Sequence, residues 1–212
     1  MDVAAGAIPL GIKLAYTGFM AVLLPVYLRN YGPTNFLYFC DVALLLTLAG
    51  VWMESSLLLS IATAGILIPQ IFWLADFLAN LFGWKVTGMT DYMFDSQRSA
   101  FLRGLSLFHG WLPVLLLYLV WRTGYDGRAL PIWTAIASVL VLVCYFYMPP
   151  PSATRIGIAP VNINYVYGFS DEVAQRWMPP WAWLMVALAG FPLVLYLPAH
   201  LLLKQLMPAP AP

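Results

Sequence analysis

The stretch LYFCDVALLL, residues 37–46, places a thiol and a carboxyl side by side at the start of a long apolar run. A charged group in hydrocarbon costs at least about 2.5 kcal/mol, so Asp41 needs a partner or a function. A further apolar run carries His109, in FHGW at 108–111. Thiolates are nucleophiles and a neighbouring imidazole favours them, so contact between Cys40 and His109 would be chemically meaningful. Alternatively, Cys40 is a small apolar filler of a membrane helix.

The amino-acid composition indicates the kind of fold that must position these side chains. The chain has 212 residues, of which 62% are hydrophobic and 9% charged. An ordinary soluble domain is about half apolar and about one quarter charged. These values predict an all-α, polytopic helical membrane protein. The net charge of +1 offers no basic surface for nucleic acid, and the two cysteines, Cys40 and Cys144, both lie in apolar runs rather than in a disulfide framework.

Six apolar runs approach the roughly 20 residues that a membrane-spanning helix needs. They lie at residues 9–28, 36–53, 57–82, 101–121, 130–148 and 181–203. We predict that residues 1–207 form a single transmembrane bundle and that the proline-rich residues 208–212 form a disordered tail.

Six crossings would put both termini on one side of the membrane, which we name side A. The opposite side, side B, would then carry the two long connections, 83–100 and 149–180. Long ordered loops often carry function, whereas short turns mostly join helices. The sequence therefore predicts a functional site on side B.

The polar residues inside the apolar runs agree with this placement. A rise of about 1.5 Å per residue puts each of them in the side B half of the membrane. The residues concerned are Cys40, Asp41, Asp76, Arg103 and His109. Arg103 could neutralise Asp41 or Asp76, and an Asp76–Arg103 contact would be either a structural ion pair or part of a site. Asp41 could brace the loop next to it or act in function.

The long side B connection contains a second unusual stretch, VNINYVYG at 161–168. Its polar members, Asn162, Asn164, Tyr165 and Tyr167, alternate with apolar residues. One interpretation is a short extended or interfacial segment. The other is a lid whose Asn and Tyr side chains point into a side B cavity and bind substrate.

Four elements in a fixed order resemble a known family. They are LYFCD at 37–41, FHGW at 108–111, NYVYG at 164–168 and PPWAW at 179–183. In this order the chain resembles the YwaF-type bacterial integral membrane proteins, which are distantly related to eukaryotic transmembrane acyltransferases acting on lipids. The resemblance covers about residues 35 to 205.

The resemblance implies a Cys–His catalytic pair, here Cys40 and His109, and a membrane-lipid substrate. In such a mechanism Asn164 or Tyr165 would donate hydrogen bonds to the tetrahedral oxyanion. Asp41 would orient His109, and Arg103 would hold a lipid phosphate. The expected location is the bacterial inner (cytoplasmic) membrane.

Other chemistries receive little support from the sequence. It contains no zinc-ligand spacing, no Gly-rich phosphate loop and no GxSxG or HExxH motif. We predict no cofactor and no metal. The alternative to an enzyme is a lipid- or small-molecule-binding membrane protein, a homo-oligomer or a subunit of a larger membrane assembly. A proton-coupled carrier is a third alternative, although the side A half has almost no polar lining.

Overall fold

The computed structural model describes residues 7–151, 153 and 158–210. Within these residues the fold consists of helices and connecting turns, with no β-strand. The α-helices are α1 Leu10–Asn30, α2 Phe39–Met53, α3 Ser56–Leu81, α4 Ala100–Ser106, α5 Phe108–Thr123, α6 Ala129–Tyr147, α7 Pro180–Gly190 and α8 Leu197–Leu206. The predicted all-α polytopic class is confirmed.

Among the described residues, five helical stretches are long and apolar enough to cross a membrane. They are Leu10–Asn30, Ser56–Leu81, Ala100–Thr123, Ala129–Tyr147 and Pro180–Leu206. The second predicted run forms only the 15-residue helix α2, about 22 Å long against a hydrocarbon core of about 30 Å. The protein is therefore a polytopic membrane protein, while the count of six crossings stays a prediction.

Two of the predicted runs are not continuous α-helices. The fourth run is divided at Leu107 into α4 and α5. In the last run, a π-helical segment at Phe191–Tyr196 joins α7 to α8. Pro192 lies in the first turn of that segment, and a proline supplies no amide hydrogen to the α-helical ladder.

The ends of the helices gather at two opposite ends of the bundle, as alternating crossings require. On side A, Lys13 forms an ion pair with Glu54 (2.6 Å), and the amide of Tyr125 donates to the carbonyl of Pro208 (2.8 Å). Residues 208–210 of the predicted disordered tail are thus packed against the α5–α6 turn, while residues 211–212 lie outside the described residues.

Helix α3 lies at the centre of the bundle and contacts α2, α5, α6 and α8. Gly65 makes part of this packing possible, because a Cβ atom there would overlap the indole of Trp133 on α6. Such close approach is a usual reason for glycine in a membrane helix. Helix α3 thereby brings its own polar residues next to α2 and α5.

Candidate functional site on side B

The loop residue Asn164 holds the start of α2. Its Oδ1 accepts a hydrogen bond from the amide of Phe39 (3.1 Å), and its Nδ2 donates to the carbonyl of Leu37 (2.9 Å). Nδ2 also donates to the sulfur of Cys144 (3.6 Å). An amide nitrogen carries two hydrogens, so the predicted oxyanion role of Asn164 has no hydrogen left to use. Asn164 instead positions the turn of α2 that carries Cys40.

Asn162 and Tyr167 close the same loop on itself. The Nδ2 of Asn162 donates to the carbonyls of Gly168 (2.8 Å) and Ser170 (2.9 Å), and its Oδ1 accepts from the amide of Tyr167 (2.9 Å). The hydroxyl of Tyr167 donates to the carbonyl of Tyr145. Asn162 and Asn164 have φ values of 50° and 58°, a left-handed conformation that asparagine tolerates better than most residues. The segment is a compact turn rather than an extended stretch, and its Asn side chains bind backbone rather than a cavity.

Asp76 organises the other long side B loop. It accepts hydrogen bonds from the amide and hydroxyl of Thr87 (2.8 and 2.8 Å) and from those of Thr90 (3.0 and 2.6 Å). Arg103 donates instead to the carbonyl of Met93 (3.0 Å). The predicted Asp76–Arg103 ion pair is therefore wrong, because loop hydroxyls and amides already satisfy the carboxylate. Thr87 and Thr90, which lie in the loop after the helix of Asp76, were the sequence signal that hydroxyl groups could satisfy this carboxylate.

Asp41 lies in the first turn of α2 and is only 2% exposed. Its Oδ2 accepts from Nδ2 of Asn35 (2.9 Å), and its Oδ1 has no hydrogen-bond partner among the described residues. Within the described part of the chain, no Lys, Arg or His forms an ion pair with it. The prediction that Arg103 neutralises Asp41 is thus wrong, and sequence reasoning missed Asn35, which lies in the short 3₁₀ turn before α2.

His109 lies in the first turn of α5, beside α3. Its ring centroid is 4.7 Å from that of Trp73 and 4.1 Å from that of Phe108, and its Nδ1 has no hydrogen-bond partner. In the described part of the structure, no hydrogen bond joins Cys40 to His109 or Asp41 to His109. The Cys40–His109 catalytic pair stays a prediction without a direct contact.

Six buried side chains on side B have a polar atom without a hydrogen-bond partner among the described residues, and two of them are Arg98 and Arg103, each with an unpaired Nε. We name the other four, which lie on α2, α3 and α5, the side B polar cluster. They are Asp41, Gln70, Trp73 and His109, with Oδ1, Oε1, Nε1 and Nδ1 unpaired. Gln70 and Trp73 are 3% and 6% exposed and share a face of α3 at i, i+3 spacing. Sequence reasoning did not place Gln70 or Trp73 in a site.

The packing of α2 on α3 places the backbone of Asp41 and that of Gln70 at similar depth in the bundle. The two helices run antiparallel, and Gly50 on α2 packs on Leu59 on α3. Counting along the helices from that contact at about 1.5 Å per residue puts Asp41 and Gln70 within about one turn in depth. Tyr27 connects the cluster to α4, because its hydroxyl bonds the hydroxyl of Ser106 (3.0 Å) and lies within electrostatic range of Asp41.

One tyrosine from each long side B loop interacts electrostatically with Cys40. Burial and then the nearby thiol of Cys40 raise the pKa of Tyr92. Burial and then Asp171 raise the pKa of Tyr165, with further contributions from Tyr92 and Cys40. The predicted substrate residue Tyr165 thus lies near Cys40, and its backbone carbonyl accepts from the indole of Trp183 (2.9 Å).

Two further features bear on possible ligands. The described residues contain no group of three side chains that could hold a metal ion. A crevice of about 300 Å³ lies between α1 and α5 and is lined by Ile12, Ala15, Tyr16, Phe19, Trp111 and Leu115. Its lining is apolar, which suits a hydrocarbon chain.

No model of a known protein family matches the chain, and comparisons with curated proteins and with solved structures likewise find no match. The family resemblance therefore stays a prediction, and the geometry of the side B polar cluster is the evidence that bears on function.

Proposed function

We propose that this membrane protein binds the polar group of a lipid, or of a membrane-embedded small molecule, in its side B polar cluster. The supporting observation is the set of unpaired buried atoms on Asp41, Gln70, Trp73 and His109. Each buried polar atom left unpaired costs about 1–3 kcal/mol. A bound group that both donates and accepts hydrogen bonds would remove that cost at several of these atoms at once. The bacterial inner membrane is the location that we propose.

The remaining predicted site residues support a binding role more than a catalytic one. Asn162, Asn164 and Asp76 have their hydrogen bonds committed to loop backbone and loop hydroxyls. They build the side B wall of the bundle. The atoms left for a ligand lie deeper, on α2, α3 and α5. The apolar crevice beside α5 would suit the hydrocarbon part of a lipid.

The experiment is purification in mild detergent followed by mass spectrometry of the molecules that remain bound. We expect wild-type protein to retain a lipid in a fixed ratio and Gln70→Leu to lose it. Gln205→Leu is the matched control, because Gln205 is exposed on α8. Stable wild-type protein that carries no bound molecule would contradict the proposal.

Acyl transfer is the second candidate, since Cys40 adjoins Asp41 and interacts electrostatically with Tyr92. His109 would take the thiol proton, and the thiolate would attack the carbonyl carbon of a lipid ester. The ester C–O bond would break, the alcohol would leave with the proton from His109, and an acyl-Cys40 thioester would remain. Water or a second lipid hydroxyl would then take the acyl group and restore the thiol.

This candidate has its own test. An alkyne-tagged fatty acyl lipid should label the protein through a hydroxylamine-sensitive thioester. Cys40→Ala should abolish the label and Cys144→Ala should leave it, because the Cys144 sulfur accepts a hydrogen bond from Asn164 in a fully buried position. Labelling that survives in Cys40→Ala would remove Cys40 from the mechanism.

A further inference from the structure

The crevice between α1 and α5 is an apolar groove in the side A half of the bundle. Its volume is about 300 Å³, and its α1 wall consists of Ile12, Ala15, Tyr16 and Phe19. These four residues share one helix face, at i, i+3, i+4, i+7 spacing. The hydroxyl of Tyr16 donates to the carbonyl of Leu44 on α2 (3.0 Å), so the ring lines the crevice while its polar atom is already bonded.

An aromatic pair closes the deep end of the crevice near the middle of the bundle. Helix α1 begins at side A with Leu10, and the lining residue farthest from that end is Phe19, about 14 Å along the helix. Helix α5 ends at side A with Thr123, and its farthest lining residue is Trp111, about 18 Å away. The rings of Phe19 and Trp111 contact edge to face, with centroids 4.8 Å apart. A hydrocarbon chain that fills the crevice up to this pair therefore has its polar end at side A.

An arginine lies on the same face of α5, toward side A. The α5 wall of the crevice consists of Trp111 and Leu115, and Tyr118 and Arg122 continue this stripe at i+7 and i+11 from Trp111. The guanidinium of Arg122 turns back along the stripe, because its Nη1 donates to the hydroxyl of Tyr118 (3.5 Å). The apolar crevice therefore continues, on one helix face, into an exposed cation at side A.

Arg122 has no acidic partner among the described residues. Its basic neighbours at side A do, since Lys13 pairs with Glu54 (2.6 Å). Arg128 likewise pairs with Asp126 (2.7 Å). A guanidinium binds the oxygens of a phosphate through paired N–H donors. A phospholipid joins such a phosphate to hydrocarbon chains, so its two parts match the cation and the apolar crevice.

We propose that the α1–α5 crevice and Arg122 form a binding site for an anionic phospholipid. One acyl chain lies in the crevice, and the headgroup phosphate pairs with Arg122. The site is separate from the side B polar cluster, because the headgroup lies at the opposite end of the bundle. The inference therefore does not depend on the binding function proposed for that cluster.

The test is native mass spectrometry of the full chain in mild detergent, with phosphatidylglycerol or phosphatidylcholine added at equal concentration. We expect tighter binding of phosphatidylglycerol, because the choline headgroup carries a cation of its own beside the phosphate. Arg122→Gln should lower the affinity for phosphatidylglycerol about fivefold, the usual effect of one basic residue at an anionic membrane surface. Lys204→Gln is the matched control, because Lys204 is also an exposed side A cation without an acidic partner among the described residues, but lies on α8.

A second pair of variants tests the crevice itself. Ala15→Phe places a ring in the crevice and should abolish the binding of phosphatidylglycerol. Ala135→Phe, at an exposed position on α6, should leave it unchanged. Thermal unfolding without added lipid shows whether each variant is folded. If Ala15→Phe is not folded, the comparison of Arg122→Gln with Lys204→Gln decides.

Three results would overturn the proposal. Equal losses of affinity in Arg122→Gln and Lys204→Gln would assign the effect to surface charge in general. Unchanged binding of phosphatidylglycerol in folded Ala15→Phe would exclude the crevice as the site of the acyl chain. Wild-type dimers without bound lipid would place a second copy of the chain on this face instead of a phospholipid.

Discussion

Replacing Asn164 by alanine should destabilise the protein. The side chain of Asn164 binds the amide of Phe39 and the carbonyl of Leu37 at the start of α2. Its backbone is left-handed, with φ at 58°. Alanine removes both hydrogen bonds and leaves a side chain that disfavours this conformation.

The magnitude follows from these three contributions. Each partner left unpaired costs about 1–3 kcal/mol, and a left-handed alanine costs roughly 1–2 kcal/mol. The sum is about 3–8 kcal/mol, and we expect the lower end because both bonds are only partly buried. Asn164→Gly should recover roughly 1–2 kcal/mol of the loss, because glycine adopts the left-handed backbone without strain.

Thermal unfolding in detergent measures the effect. At roughly 2–4 °C per kcal/mol, the loss predicts a Tm at least about 6 °C lower for Asn164→Ala. Asn30→Ala is the control, since its side chain is exposed and bonds only a carbonyl of its own helix; it should change stability by less than about 0.5 kcal/mol. Maleimide should also react faster with Cys40 in Asn164→Ala, because the turn that holds Cys40 is loosened. Equal Tm values for the two alanine variants would refute the assignment of Asn164 as the clamp of α2.

Two further predictions concern packing and pH. Gly65→Ala should lower the free energy of unfolding by about 1–3 kcal/mol, because the added methyl overlaps the ring of Trp133. Gly104→Ala is the control and should not lower it, because no described atom lies within 4 Å of the added methyl. Equal Tm values for the two variants would contradict this prediction. The hydrogen bond from Lys13 holds the pKa of Glu54 below its usual range. The ionised Glu54 carboxylate therefore stabilises the fold fully above its unfolded-state pKa, and this stabilisation is lost as pH falls through its folded-state pKa. In Glu54→Gln, the free energy of unfolding should no longer show this loss as the pH is lowered. Identical pH profiles for the wild-type protein and Glu54→Gln would contradict a stabilising role of the Lys13–Glu54 pair.

Sequence patterns were sufficient for the class of protein. In hydrocarbon, every backbone polar group needs a hydrogen-bond partner within the protein, and a helix supplies these partners within one segment. Long apolar runs with few charges therefore predicted the all-α polytopic class. The positions of Asp41 and His109 within their runs predict their depth through the helical rise. Boundaries were less secure: Leu107 interrupts the fourth run and a π-helical segment at Phe191–Tyr196 interrupts the last.

The partners of those polar residues were decided only by the tertiary structure. Depth in the membrane does not fix how a helix is rotated about its axis or where a loop returns. Asp76 therefore met two loop threonines rather than Arg103, and Asp41 met Asn35. His109 packed on Trp73, because α5 lies against α3. The sequence predicts that polar groups collect in the side B half of a membrane bundle, whereas packing and the return path of the loops decide which of their atoms have hydrogen-bond partners.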